Sequence, residues 1–285
     1  MKASDNTRSI FDDDPLLATE KKKFYPRLGT AWLIPVYSFV LFLAFWVFGT
    51  LFHLDFVVDK LLTCVISIVL YGCLLLTLLF YSYNRKKKIE PDYKLRIEAP
   101  STTLLLAGPF LMCALYVFVF GVQEWLHLSM LDEWESSVFL LIRENPVFYC
   151  FTYLLIDPLI EESLMRGVVL DSFFKNYSPV KSIVNITAIS CAISLSPNSL
   201  VYVISFSVLL SWIYLKTKNL GNTLYMQFLF GLVPALLIFT LQDQFIAHAR
   251  PILNSPAWVG ISAIVAIICV IILQSSFSST NKTIS

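Results

Sequence analysis

Long uninterrupted apolar stretches alternate with short polar ones along this chain. They fall at approximately 28–52, 58–83, 101–121, 138–162, 179–196, 199–216, 222–242 and 256–275. Each approaches or exceeds the roughly 20 residues that cross about 30 Å of hydrocarbon at about 1.5 Å per residue. Spanning strands need short alternating apolar and polar segments closed into a barrel, and continuous runs are the opposite pattern. The expected fold is an all-α, polytopic membrane helix bundle of about eight transmembrane helices. Ser196, Pro197 and Asn198 divide the fifth stretch from the sixth and predict a tight hairpin. Pro35 predicts a kink or an interfacial lead-in within the first.

Composition agrees: 57% of the 285 residues are apolar and 14% are charged, against roughly 45–50% and about 25% in soluble domains. A soluble fold could not bury that much apolar surface. The net charge of +1, with no basic face interleaved with aromatics, argues against nucleic acid as a partner. Cys64, Cys73, Cys113, Cys150, Cys191 and Cys269 all lie in apolar stretches without a CxxC pair and read as packing residues. No metal or cofactor is expected.

Residues 1–27 hold too few apolar side chains to fold alone and read as a disordered cytoplasmic tail. They lack the apolar core of a removable signal, and no Cys near either end offers a lipid anchor. The membrane-embedded part is expected over 28–275 and a short tail over 276–285. Basic loops stay on the cytoplasmic side. With the N-terminus inside, only Lys60, Arg143 and Arg250 of the 21 Lys and Arg fall outside. Both termini are therefore expected to be cytoplasmic, in a bacterial plasma membrane by preference over an endoplasmic reticulum.

One stretch, DPLIEESLMRGVVLDSFF at 157–174, concentrates Asp157, Glu161, Glu162 and Arg166 in apolar surroundings. Each such charge would cost roughly 2.5–3.5 kcal/mol at a bilayer centre, so these groups need partners or a wet cavity. Helical spacing lets Glu162 meet Arg166 and crowds Asp157 against Glu161. Crowded, desolvated carboxylates suit general acid–base work. Pro158 leaves the Leu154 carbonyl without its usual donor, which predicts a bend and a pocket. The plainer reading places the same residues at the cytoplasmic end of a span, with an interfacial Glu162–Arg166 pair.

EESLMR, Glu161 to Arg166, resembles the EExxxR first motif of the CAAX prenyl protease and bacteriocin-processing family, the Abi family of intramembrane glutamate peptidases. Residues 203–225 are similar to that family's segment in which a span ends in Tyr-x-x-Thr, and Tyr214, Thr217, Leu220 and Leu224 carry the match. The resemblance covers about 140–245. It implies a bundle of about eight helices around a conical, water-filled cavity, with Glu161 as the base that activates water, Glu162 as its partner and Arg166 as the positioning cation. A membrane-bound or prenylated-type peptide would be the substrate, and membrane lipids the surroundings.

The chain departs from the family's FxxxH and HxxxN motifs. Ser194 or Ser196 stands where the second motif has His; Phe230 or Gly231 stands at the third-motif His and Pro234 or Ala235 at its Asn. His53, His127 and His248 fall in expected exterior loops. Ser194, Ser196 and Gln227 are the candidate substrate-binding residues. Gln227, with Asn222 or Asn185, is also the candidate oxyanion donor, on the strength of polarity in apolar surroundings. Three readings follow: a divergent intramembrane peptidase, a catalytically silent relative acting as a membrane scaffold or binding protein, and a small transporter or channel.

Overall fold

The computed structural model describes residues 24–51, 60–128, 138–194, 197–241 and 245–282. All regular secondary structure among these is helical. A single turn at Leu28–Ala31 leads into α1 (Leu33–Leu51), followed by α2 (Lys60–Ile89), α3 (Thr102–Trp125) and the short α4 (Val138–Glu144). A long helical run, α5, occupies 146–176. Then come α6 (Pro179–Ser194), α7 (Leu200–Thr217), α8 (Leu220–Leu241), α9 (Phe245–Leu253) and α10 (Pro256–Lys282). Five described helical segments are long and apolar enough to cross a membrane: Ile68–Ile89, Thr102–Trp125, Leu200–Thr217, Leu220–Thr240 and Pro256–Ser278. Leu28–Leu41 and Pro179–Ser194 are shorter apolar helices. Phe110, Leu106, Val147, Ile264 and Ile271 project from the outside of the bundle. An exposed apolar surface on this scale needs a bilayer to cover it. The protein is an integral membrane helix bundle.

Several boundaries differ from the sequence expectation for local reasons. Pro35 offers no N–H to the Ala31 carbonyl, and the first helix is interrupted at Trp32. The fourth stretch breaks at Asn145, whose backbone lies outside the helical region, and Pro146 opens a new helix at its first position, where a missing N–H costs nothing. That helix continues to Asn176 rather than ending near 162. The charged groups beyond 162 are paired inside the protein and so do not mark an exit into water. The last helix likewise runs on to Lys282. The hairpin between α6 and α7 forms through a short turn at Pro197–Ser199, although residues 195–196 lie outside the described residues.

Three apolar clusters fill the bundle. One wraps α5, with Leu164, Met165, Val169 and Phe173 against Ile186, Ile189 and Leu75. A second joins α3, α7, α8 and α10 through Leu104, Leu111, Leu210, Met226 and Leu273. The third, around Leu141, Leu154, Ala235 and Ile238, lies at the opposite end of α8.

Between α2 and α3 the chain runs without helix from 90 to 101 and straps one end of the bundle. Backbone and side-chain hydrogen bonds hold it there. Leu220 N donates to Arg96 O (2.9 Å), Glu98 N to Asn219 Oδ1 (2.9 Å) and Ser101 N to Asn222 Oδ1 (2.9 Å). The approach is so close that a Cβ at Gly221 would stand 1.7 Å from Glu98 O. This end is called the strap end below.

Candidate functional site

The acidic stretch sits on α5, and α5 is wound unevenly around it. Residues Asp157–Glu162 form one α-helical piece flanked by π-helical pieces, Cys150–Ile156 before it and Ser163–Leu170 after it. Pro158 supplies no N–H, and Asp157 N donates five residues back to Thr152 O. The looser winding thus ends beside the position where proline removes a donor. On the far side of the motif Asp171 N donates to Arg166 O. The Gly167 carbonyl, which an α-helix would have used there, accepts instead from Tyr93 Oη at 2.7 Å. A strap residue therefore fills the place left by the π turn.

Two sides of α5 carry different chemistry. On the inner side Glu162 is fully buried, and its Oε1 accepts from Arg166 Nη1 at 2.9 Å. Arg166 Nη2 donates to Ser207 Oγ at 3.4 Å, and Ser207 Oγ lies 3.4 Å from both Thr187 Oγ1 and Ser190 Oγ. The guanidinium thus meets a hydroxyl of α7, which two hydroxyls of α6 flank. Thr223 of α8 stands beside Glu162 but gives its hydrogen to Leu220 O at 3.0 Å. Glu162 Oε2, Arg166 Nε, Ser211 Oγ and Gln227 Oε1 are buried with hydrogen-bonding capacity that the protein leaves unused. Such atoms are exceptional in native interiors, and they concentrate on the elements that meet here, α5, α7 and α8.

Glu161 is half-buried and lies within electrostatic range of both Arg166 and Glu162. It and Asp157, one turn earlier, turn toward α2. Tyr71 is in electrostatic range of both, and Asp157 Oδ1 lies 3.7 Å from where a Cβ on Gly72 would stand. Tyr202 of α7 is also within range of Glu161.

Residues 143–241, from the end of α4 to the end of α8, match the family model described as Type II CAAX prenyl endopeptidase Rce1-like. This segment is similar to that family. No curated protein and no solved structure gives a match. The matched range holds every sequence-predicted site residue, whereas α1 to α3, the strap and α10 lie outside it.

Within the matched segment the predicted residues do not all converge. Glu162, Arg166 and Gln227 share one seam: Thr223, Gln227 and Gly231 form a single stripe of α8, with Thr223 beside Glu162 and Gly231 against Leu154. Ser194 is turned back onto its own helix, donating to Cys191 O at 2.9 Å. Ser196 lies outside the described residues. Asn222 accepts from the strap, and Asn185 donates to Lys181 O at 2.7 Å, so neither joins Gln227.

The positions where the resemblance calls for imidazole and amide are filled otherwise. Phe230 stacks on Tyr202 and Tyr116, with centroids 4.7 and 5.1 Å apart, and tilts against Phe206 at 4.8 Å. Gly231 receives Leu154 and accepts the Tyr149 hydroxyl at 2.9 Å through its carbonyl. Ala235 is buried in the third apolar cluster. His127 is exposed past the last residue of α3, and α3 is capped at its start by Ser101, whose N–H donates to Asn222. The 24 residues of α3 place His127 about 36 Å away at about 1.5 Å per residue. His248 is exposed on α9, beyond the same far end, and His53 lies outside the described residues.

The sequence does not reveal the brace that holds the matched segment in place. Lys86, inside the basic NRKKK run, is fully buried; its Nζ donates to Asp171 Oδ2 at 2.8 Å and Val168 O at 3.1 Å and lies 4.0 Å over the Tyr93 ring. Lys175 adds a second ion pair to Asp171 at 2.9 Å and reaches Glu90 at 2.6 Å. Asn219 also bonds Ala99 O and accepts from Gly221 N. The available signal for the strap contacts is Asn219-Leu220-Gly221-Asn222 after the Tyr-x-x-Thr motif, a small residue among two asparagines at a helix start.

Proposed function

We propose that this protein is a CAAX-endopeptidase-type membrane protein that binds a membrane-anchored protein or peptide and does not hydrolyse it. The observation that carries this reading is the Tyr202–Phe230–Tyr116 stack, standing where the resemblance implies a catalytic imidazole. Losing a general base costs about 10²–10⁴ in rate and losing an oxyanion donor about 10²–10³. Serine hydroxyls do not replace the base unless another base activates them. What the chain keeps is the buried Glu162–Arg166 pair and a seam of unused polar atoms, which suit recognition of a polar backbone inside the membrane. The basic-rich strap end faces the cytoplasm in this reading, with both termini there, in a bacterial plasma membrane.

The peptidase reading keeps one observation in its favour: Glu161 is half-buried, free of any ion pair among the described residues, and flanked by Tyr71. Purified protein in lipid nanodiscs, offered photo-crosslinkable membrane-anchored peptides with and without a prenyl group, separates the two. Crosslinked but intact peptide is expected, equally for wild type and Glu161→Gln. Peptide products present in wild type and absent in Glu161→Gln would overturn the binding reading.

A further inference from the structure

A groove of about 450 Å³ runs between the N-terminal lead-in with α1 on one side and α2 on the other. Its polarity is graded along its length. The floor is apolar, made by Ala31, Ile34 and Leu78. Leu33, Tyr37 and Tyr81 on its walls are each more than a third exposed, so the groove opens sideways toward the bilayer. At the strap end the lining turns polar: Tyr25 stands beside Ser82, and both belong to the groove wall.

Just past that polar end stand two arginines. Arg85, one turn beyond Tyr81 on α2, holds its guanidinium 5.5 Å from the Tyr81 ring and within electrostatic range of Tyr25. Arg27 directly follows Pro26 of the lining and is exposed. Neither makes an ion pair among the described residues, whereas Lys86, the next residue in the basic run, is turned inward and bound to Asp171. An apolar slot open to the membrane, hydroxyls at its upper end and beyond them two cations with no ion pair among the described residues have the sequence of polarities of one lipid: acyl chain, ester region, phosphate.

We propose that this groove seats an acyl chain of an anionic phospholipid whose phosphate is held between Arg85 and Arg27. The site is separate from the acidic seam of α5. Its occupancy fixes the lead-in against α2, the helix that also carries Lys86 of the brace.

The test uses the full chain in detergent, titrated with phosphatidylglycerol and phosphatidylcholine of identical acyl chains and read by native mass spectrometry. Wild type is expected to prefer phosphatidylglycerol. That preference is expected to fall about fivefold in Arg85→Gln and about fivefold again in Arg27→Gln/Arg85→Gln, each basic group near a headgroup contributing a factor of that order. Leu78→Trp, which fills the floor, is expected to weaken both lipids alike. Lys181→Gln, an exposed basic residue on α6, is the control for diffuse surface charge and is expected to change nothing; melting temperatures show that each variant is folded. An unchanged preference in the double arginine variant, undiminished binding in Leu78→Trp, an equal loss in Lys181→Gln, or crosslinks placing residues 1–23 in the groove would each overturn the proposal.

Discussion

Lys86 Nζ lies 2.8 Å from Asp171 Oδ2 with the lysine side chain wholly buried. The pair joins α2 to the last turns of α5, beyond the apolar stretch that ends at Leu170. Burial pushes the Asp171 carboxyl up, but the Lys86 charge and the hydrogen bonds from Lys86 and Lys175 outweigh it and hold the group below its ordinary value.

Removing either partner is expected to destabilise the protein, unequally. Asp171→Asn strands a buried ammonium and is expected to cost about 3–5 kcal/mol. Lys86→Met is expected to cost less, because Asp171 keeps Lys175 at 2.9 Å. Thermal unfolding in detergent checks the order. A carboxyl held low stabilises the fold above its unfolded pKa of about 3.9 and loses that contribution as pH falls through its folded value. The gap in melting temperature between wild type and Asp171→Asn is therefore expected to stay constant from pH 7 to about 5 and to shrink below about 4.

The Glu162–Arg166 pair yields a different asymmetry. A stranded carboxyl can take up a proton, whereas a stranded guanidinium cannot lose one. Glu162→Gln is expected to cost about 3–5 kcal/mol and Arg166→Met less. The double variant is expected to recover most of the loss. Glu161→Gln, which breaks no ion pair among the described residues, is expected to leave the unfolding midpoint within about 1 kcal/mol of wild type.

Two glycines test the strap. Gly221→Ala drives a Cβ to 1.7 Å from the Glu98 carbonyl, while a Cβ at Gly260 meets nothing within 4 Å. Both lie in helices, where Ala is favoured over Gly by about 1 kcal/mol. Backbone overlap outweighs that gain at 221, so Gly221→Ala is expected to cost about 3 kcal/mol and to speed limited proteolysis within 90–101. Gly260→Ala is expected to be neutral or stabilising.

The helices were legible because a bilayer-spanning segment must write itself as a continuous apolar run. Glu162–Arg166 was legible too, since a four-residue spacing brings the pair together. Boundaries differ from the sequence expectation where charge does not mean contact with water. Asp171 and Lys175 are compensated within the protein by Lys86 and Glu90, and such compensation depends on residues some 85 positions away. Lys86 could not be told from Lys87 or Lys88 by sequence, because only the packing of α2 against α5 decides which side of the helix turns inward. Ser194 looked available from its position, yet a serine near a helix end readily bonds a carbonyl of its own last turn, and this one does. The π windings around Pro158 and Gly167 left no more trace than the proline itself.

The central claim is that the acidic motif is kept as a buried polar core without peptide hydrolysis. Its most direct test is incubation of the nanodisc-held protein with a membrane-anchored peptide in ¹⁸O-labelled water, followed by mass spectrometry of every peptide carboxylate. Because hydrolysis must place a solvent oxygen on the new C-terminus, no labelled product is expected above that of lipid alone. Labelled product formed by wild type and lost in Glu161→Gln would contradict the account.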